Sequence, residues 1–331
     1  MAIEKLYIKG ISDIVETEGN LPRFTKICHE LHQRKLYSWN EIIPLVKKVT
    51  GFTRNSPIQR HIEVFKKLGI LDQKDATYTL SSEGRALLQL TKDTPLKEKL
   101  TLPEKIFYFR ALFNNALYQL YILLKIIDQK RSVTEPKEVV IDYFGNIIKS
   151  PLRIWKKESL RRDIEIYESR GTLQSGLQNK FGCMKAWLRY LKLLESKELI
   201  LTSIGEEVLK DIEKQGLIDI EERIYSIANI YTTGKVNSLP RFDYSKKIHK
   251  RLFLELFERA YTLFETQELG ISDAKSIRCF VCIKILQDHH IILEEKNFDI
   301  IMNDLARSGI IRSLMTGREG KLAYISGFSR F

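Results

Sequence analysis

Along the chain, hydrophobic and polar positions are most clearly ordered between Arg54 and Leu88, where the period changes twice. Ile58, Ile62, Phe65 and Leu68 recur at spacings of four, three and three, the pattern of a helix with one apolar face. Ser56 with Gln59 three residues on is a capping-box pair, and Pro57 falls at the first helical position, where its missing N–H costs nothing. The spacing therefore predicts a helix over 56–68, ended by Gly69. Ile70-Leu71 and Tyr78-Thr79-Leu80 are short strand-like runs on either side of a polar turn, Asp72–Ala76, and predict a hairpin. Ser81-Ser82-Glu83-Gly84 opens a further helix carrying Leu87, Leu88 and Leu90. Upstream, Leu21–Leu31 and Trp39–Val49 are predicted helices, the second capped by Ser38. Residues 1–20 read as a strand or short helix.

The same succession recurs. Phe65–Asp72 lies over Leu188–Glu195 at an offset of 123 residues, and Tyr78–Ser81 over Leu199–Thr202 at 121. A weaker third copy, Leu305–Arg312, follows Phe65 by 240 residues, with a hairpin expected from Ile310 to Ile325 around Thr316–Gly320. Repetition at a long period is evidence of organisation. The order helix, strand, turn, strand, helix resembles the second half of a winged-helix domain, which implies a helix laid in the DNA major groove. The fold class expected is mainly α with small β-hairpins: tandem winged-helix modules joined by helical connectors. Their bounds are 1–92, 103–215 and 216–331. Thr91–Thr101 reads as a linker, Ile106–Ile127 as a long aromatic helix and Pro136–Lys149 as a second. A second groove-reading helix is expected over 178–191, a connector over 212–245, and further helices over Lys246–Phe264 and Asp273–Leu286. The string LPRF occurs at Leu21–Phe24 and Leu239–Phe242, out of module register.

Charge narrows the partner class. The formal net charge of the 331 residues is +12, and the excess of Lys and Arg sits in residues 1–215, while 216–270 are balanced. An anionic partner, most simply nucleic acid, would meet the first two modules. The first ten residues lack the apolar run of a secretory signal, and Ala111–Ile127 is broken by Asn114, Asn115, Gln119 and Lys125. No membrane association is expected. Four cysteines then suggest reduced thiols in a cytoplasmic protein.

Candidate chemistry follows from the predicted helices. Arg54, Asn55, Gln59 and Arg60 stand at the N-terminal end of the first, where a major-groove dock meets base edges; Arg suits guanine, Asn or Gln adenine. Thr53, Ser56, Glu63 and Lys67 accompany them. The second helix carries small residues, Gly182, Cys183 and Ala186, so either a DNA groove edged by Gln178, Asn179 and Lys180 or a neighbouring helix could approach its backbone. Lys149, Arg153, Lys156, Lys157, Arg161 and Arg162, six cations in fourteen residues, are candidate phosphate contacts. The third helix has Glu294, Glu295, Asp299 and Asp304, which would repel phosphate, so the third module is expected to contact protein, either another module of this chain or a partner. Catalytic and cofactor signals are weak. Cys279-x-x-Cys282 lacks a second ligand pair and sits in an apolar helix, which favours core thiols over zinc. His29 and His32 have no third ligand, and neither GxxxxGK[ST] nor GxGxxG occurs. Glu319-Gly320-Lys321 fits the short nuclease string but falls in an expected turn.

Leu188–Leu194 with Leu199–Thr202, and Ser238–Phe242 downstream, together resemble the recognition half of type IIS restriction endonucleases of the FokI and AlwI kind, over residues 1–245. The resemblance implies asymmetric recognition of double-stranded DNA by a monomer, with cleavage by a separate nuclease domain or subunit. No nuclease domain is read after residue 245. A transcriptional regulator binding a palindrome as a dimer, an interaction scaffold that binds no DNA, and a nuclease with a site not evident in the sequence are the alternatives.

Overall fold

The structure, a computed structural model, describes residues 20–33, 35–94, 98–129, 173–216, 221–266, 270–317 and 322–328. Helices predominate among them, and the strands form two small antiparallel sheets. The first unit begins with α1 (Leu21–Glu30), capped by the Asn20 side chain, which accepts the Arg23 N–H at 3.2 Å. A short strand, β1 (Tyr37–Ser38), leads into α2 (Trp39–Thr50). The Glu41 carboxylate fixes the start of α2 by accepting the Ser38 N–H at 2.8 Å and its hydroxyl at 2.9 Å. Gly51, at φ 71°, ends it in the left-handed conformation.

The next helix, α3, spans Asn55–Lys67 and buries Ile58, His61, Ile62, Val64 and Phe65. Its start corrects the expected cap: Arg54 occupies the N-cap position, and the Ser56–Gln59 pair lies inside the helix. Pro57 does not decide between these starts, because any of the first helical positions tolerates a residue without an N–H. Strands β2 (Leu71–Lys74) and β3 (Thr77–Leu80) pair from Leu71 opposite Leu80 to Lys74 opposite Thr77. The turn is therefore only Asp75-Ala76, with Asp75 at φ 53°, and is tighter than the five-residue turn expected. Asp72, Gln73 and Lys74 hid this strand in the sequence because the hairpin's outer end is solvated. With β1 on the other side of β3, the sheet order is β1-β3-β2, and α4 (Ser82–Thr91) follows.

The same order of elements closes the chain. After α10 (Lys247–Phe264) and a two-residue strand β4 (Glu265–Thr266) come β5 (Ile271–Asp273), α11 (Ala274–His289) and α12 (Glu295–Arg307). The hairpin β6 (Ile311–Thr316) and β7 (Leu322–Phe328) completes a sheet ordered β4-β5-β7-β6. Between these units lie α5 (Leu102–Gln129), α6 (Leu173–Tyr190) and α7 (Ser203–Gln215). The expected second hairpin is reduced to one bridge, Leu194 opposite Leu201. Four of the six residues in its tip are Glu195, Ser196, Lys197 and Glu198, which offer no apolar face to hold a ladder. The connector after α7 is partly helical, with α8 (Ile224–Ala228) and α9 (Ile230–Thr233). The two LPRF strings differ in structure: the first opens α1, whereas Arg241 in the second bridges to Ile292.

What repeats most closely is the exit from each helix. Ile70, Leu193 and Ile310 donate their N–H groups back to Phe65, Leu188 and Leu305 at 3.0, 2.8 and 3.0 Å. The residue before each is left-handed, Gly69 at φ 71°, Lys192 at 56° and Gly309 at 75°, as this six-to-one closure requires. In the first two units a hydroxyl then locks the next helix: Ser81 Oγ and Thr202 Oγ1 donate to the carbonyls of Gly69 and Lys192 and accept the N–H groups of Gly84 and Gly205 at 3.0 and 3.1 Å. Both glycines stand where a Cβ would meet backbone, 2.1 Å from the Ile70 oxygen and 2.2 Å from that of Leu193.

The buried side chains of all three stretches form one connected core. α5 runs through its middle, packing on α4, α7, α8 and α11, with Phe107, Tyr108, Phe109 and Phe113 fully buried. On its flank Arg110, only 5% exposed, pairs with Glu83 of α4 at 3.0 Å and with Glu295 of α12. Arg278 of α11 reaches Glu295 at 3.3 Å and Asp299 at 3.0 Å. Arg85 of α4 pairs with Asp273 at 2.6 Å, where Ser82 also donates. The contacts of Arg110 and Arg85 join the first unit to the last. Among the described residues no helix is long and apolar enough to cross a membrane.

Candidate nucleic-acid interface

The apolar stripe of α3 anchors it over α1, where Phe24 meets Phe65 edge-on at 4.9 Å. That anchoring decides which side faces out. Thr53, Arg54, Asn55, Ser56, Gln59 and Arg60 lie on the outward side, and Lys67 is partly exposed. Neither Arg54 nor Arg60 has a carboxylate partner among the described residues. The face thus gathers two guanidinium groups, two amides and two hydroxyls at the positive end of a helix. Glu63 does not offset them, because Lys66 holds it at 3.0 Å and also donates to Gln73 on β2 at 2.7 Å. This bond ties the helix to the hairpin. At the hairpin's tip Lys74 is exposed and likewise has no carboxylate partner among the described residues. Lys74 was missed in the sequence because the strand that presents it reads as turn.

The other expected contacts divide. Gln178, Asn179 and Lys180 fall within α6, which starts at Leu173 and ends at Tyr190, in place of the 178–191 expected. Cys183 does not face outward as expected. It is buried, while Gly182 and Ala186 border a groove that no helix of the described residues fills. A Cβ on Gly182 would touch nothing within 4 Å. Lys149, Arg153, Lys156, Lys157, Arg161 and Arg162 lie outside the described residues, as do the Pro136–Lys149 helix and Glu319-Gly320-Lys321.

The acidic residues of α12 are placed differently from the expectation. Glu294 is buried and caps α8, accepting the Tyr225 N–H at 3.0 Å and the Ser226 N–H and hydroxyl at 2.6 Å each. Burial raises its pKa, against the Ser226 and Tyr225 hydrogen bonds. Glu295 and Asp299 turn toward Arg110 and Arg278, and Asp304 pairs with Arg307 at 3.6 Å. The helix therefore shows solvent Lys296, Ile300, Asn303, Asp304 and Arg307, a mixed face in place of the acidic one expected. Two buried arginines draw the carboxylates inward. Burial works against the charge of Arg110, but Glu295 and Glu83 outweigh it and hold its pKa well above the ordinary range.

Cys279 and Cys282 sit on α11 with no exposure, and burial pushes both thiols up, that of Cys279 to about 12. His29 bonds to Thr91 at 2.9 Å. No group of three potential ligands that could hold a metal ion occurs among the described residues. No protein-family model, no curated protein and no solved structure matches this chain.

Proposed function

We propose that this chain is a sequence-specific double-stranded DNA-binding protein. In this reading the units containing α3 and α6 are tandem winged helices, α3 enters the major groove, and the β2–β3 hairpin lies along the adjacent backbone. The observation that carries it is the outward end of α3, where Arg54, Asn55, Gln59 and Arg60 stand exposed on a helix anchored from behind. Arg54 and Arg60 supply bidentate donors of the kind that read guanine, and Asn55 and Gln59 the amide pair that reads adenine. Thr53, Ser56 and Lys67 flank them as phosphate contacts. The biological setting we infer is a restriction or defence system in which the chain, as a monomer in the cytoplasm, recognises DNA for a separate nuclease subunit or domain.

Selection from a randomised duplex pool at two salt concentrations tests the reading. One enriched, non-palindromic motif is expected, and Arg54→Ala with Arg60→Ala should remove about 1–3 kcal/mol of base discrimination for each arginine that pairs with a base. A palindromic motif bound by a dimer would move the protein to the transcriptional regulators. Absence of retained DNA at low salt would leave an interaction scaffold.

A further inference from the structure

Away from the α3 face, positive charge gathers among the described residues in a groove of about 660 Å³ between α6 and the segment leading into α5. Its walls carry Lys99, Lys105, Lys185, Arg189 and Lys192 against one carboxylate, Glu195. These residues come from two stretches, Lys99–Lys105 and Lys185–Lys192, that stand far apart in the sequence. The fold gathers them because the α6 exit, with Lys192 left-handed, lies beside the segment that enters α5.

Three features point to an anion with a backbone of its own. First, the floor is small and apolar: Gly182 and Ala186 leave the α6 surface open to close approach, and Leu100 and Leu194 lie beside them. Second, the repeat register places Gly182, Ala186 and Arg189 over Gln59, Glu63 and Lys66, on the face that α3 turns outward. Third, the cations crowd one another. Burial and then the nearby Lys192 hold the Lys105 pKa below its ordinary range, and burial and then Arg189 do the same to Lys185. Arg189 is itself steered by two backbone carbonyls, donating to Glu195 at 3.0 Å and Lys197 at 3.2 Å. An anion in the groove relieves this mutual repulsion.

We propose that the groove is a second phosphate-binding surface, which grips the sugar–phosphate backbone of the duplex whose bases α3 reads. The inference rests on the DNA-binding reading above. It adds that the affinity of the protein for any sequence, and its salt dependence, come in part from α6 and α5, while base preference comes from α3.

The test measures binding of the full chain to a mixed-sequence duplex and to the selected motif by fluorescence anisotropy over a salt series. Lys105→Gln with Lys192→Gln is expected to weaken both complexes equally and to flatten the salt slope by about two, one for each phosphate no longer neutralised. Gly182→Leu, which fills the groove without removing charge, should weaken both complexes as well. Arg54→Ala with Arg60→Ala should instead narrow the difference between the two duplexes. Unchanged affinity and slope in both groove variants, with the wild type binding DNA, would overturn the groove and leave the α3 reading standing. Failure of the wild type to bind any duplex would overturn both. Thermal stabilisation by inorganic phosphate that the groove variants lose, with no change in DNA affinity, would make this a small-anion site and overturn the nucleic-acid assignment.

Discussion

Alanine at three helical glycines should produce opposite effects on stability, and the structure gives the size of each. At Gly84 a Cβ would lie 2.1 Å from the Ile70 carbonyl oxygen, so α4 or the backbone at Ile70 must retreat. The obstacle is backbone, and that oxygen also accepts the Ser81 N–H at 3.0 Å, so retreat loosens a hydrogen bond worth about 1 kcal/mol. Overpacking of this sort costs about 1–3 kcal/mol, and the better helix propensity of alanine returns about 1 kcal/mol. Gly84→Ala should therefore destabilise by about 1–3 kcal/mol. Gly205→Ala should do the same, because its Cβ would lie 2.2 Å from the Leu193 oxygen in the repeated geometry. Gly182→Ala meets nothing within 4 Å and should be neutral or stabilising by up to about 1 kcal/mol. Urea unfolding of the three variants, followed by far-ultraviolet circular dichroism, measures the differences. Stability of Gly84→Ala and Gly205→Ala equal to or above the parent would refute the close-packed exits on which the repeat is built.

Other consequences are as specific. Arg110→Ala should cost up to about 3–5 kcal/mol in urea unfolding because it takes the buried cation from Glu83 and leaves Glu295 with Arg278 alone, whereas Glu83→Gln should cost less, since Glu83 is partly exposed and Arg110 keeps Glu295; equal losses would contradict the network. Two carboxyls should act on pH dependence with opposite sign. The Ser38 N–H, then Lys35 and the Ser38 hydroxyl, lower the Glu41 pKa to about 2, so its contribution is present above the ordinary carboxylate range and lost as pH falls through about 2; Glu41→Gln should flatten the acid limb of the melting curve. Glu294 is raised by burial, so its contribution is present below the ordinary carboxylate range and lost as pH rises above it; melting temperatures of Glu294→Gln should show the parent's disadvantage growing in that upper window. All four cysteines are buried, so a thiol reagent should label the native chain slowly and the urea-unfolded chain fast.

Much of the architecture was legible because it depends on period and on glycine. The change from spacings of three and four in Ile58–Leu68 to the Ile70-Leu71 and Tyr78–Leu80 runs marks a helix and hairpin that the structure contains, and the third copy marked the β6–β7 hairpin. The errors fall where a strand is short and wet. Asp72–Lys74 pair in register despite reading as turn, and the polar tip at Glu195–Glu198 reduces the second hairpin to one bridge. Helix starts slid where Pro57 fits several positions, as α3 shows.

Charge was legible as a sum but not as a direction. The acidic residues of α12 appeared in the sequence as a surface that repels phosphate, yet Glu294 closes the end of α8, and Glu295 and Asp299 answer arginines from α5 and α11. Those arginines come from stretches more than fifteen residues away from the carboxylates they meet, so no local window could pair them. The arginines of α3 differ in one respect that matters for function. Arg54 and Arg60 stand on a solvent face with no carboxylate partner among the described residues, whereas Arg110 and Arg278 are neutralised inside. The same helix-and-hairpin plan is thus used in two ways. The last unit commits its charge to holding the core to the first, which fixes the base on which α3 sits. The first unit keeps Arg54, Arg60 and Lys74 facing water, where, in the DNA-binding reading proposed above, phosphates and base edges would pair with them.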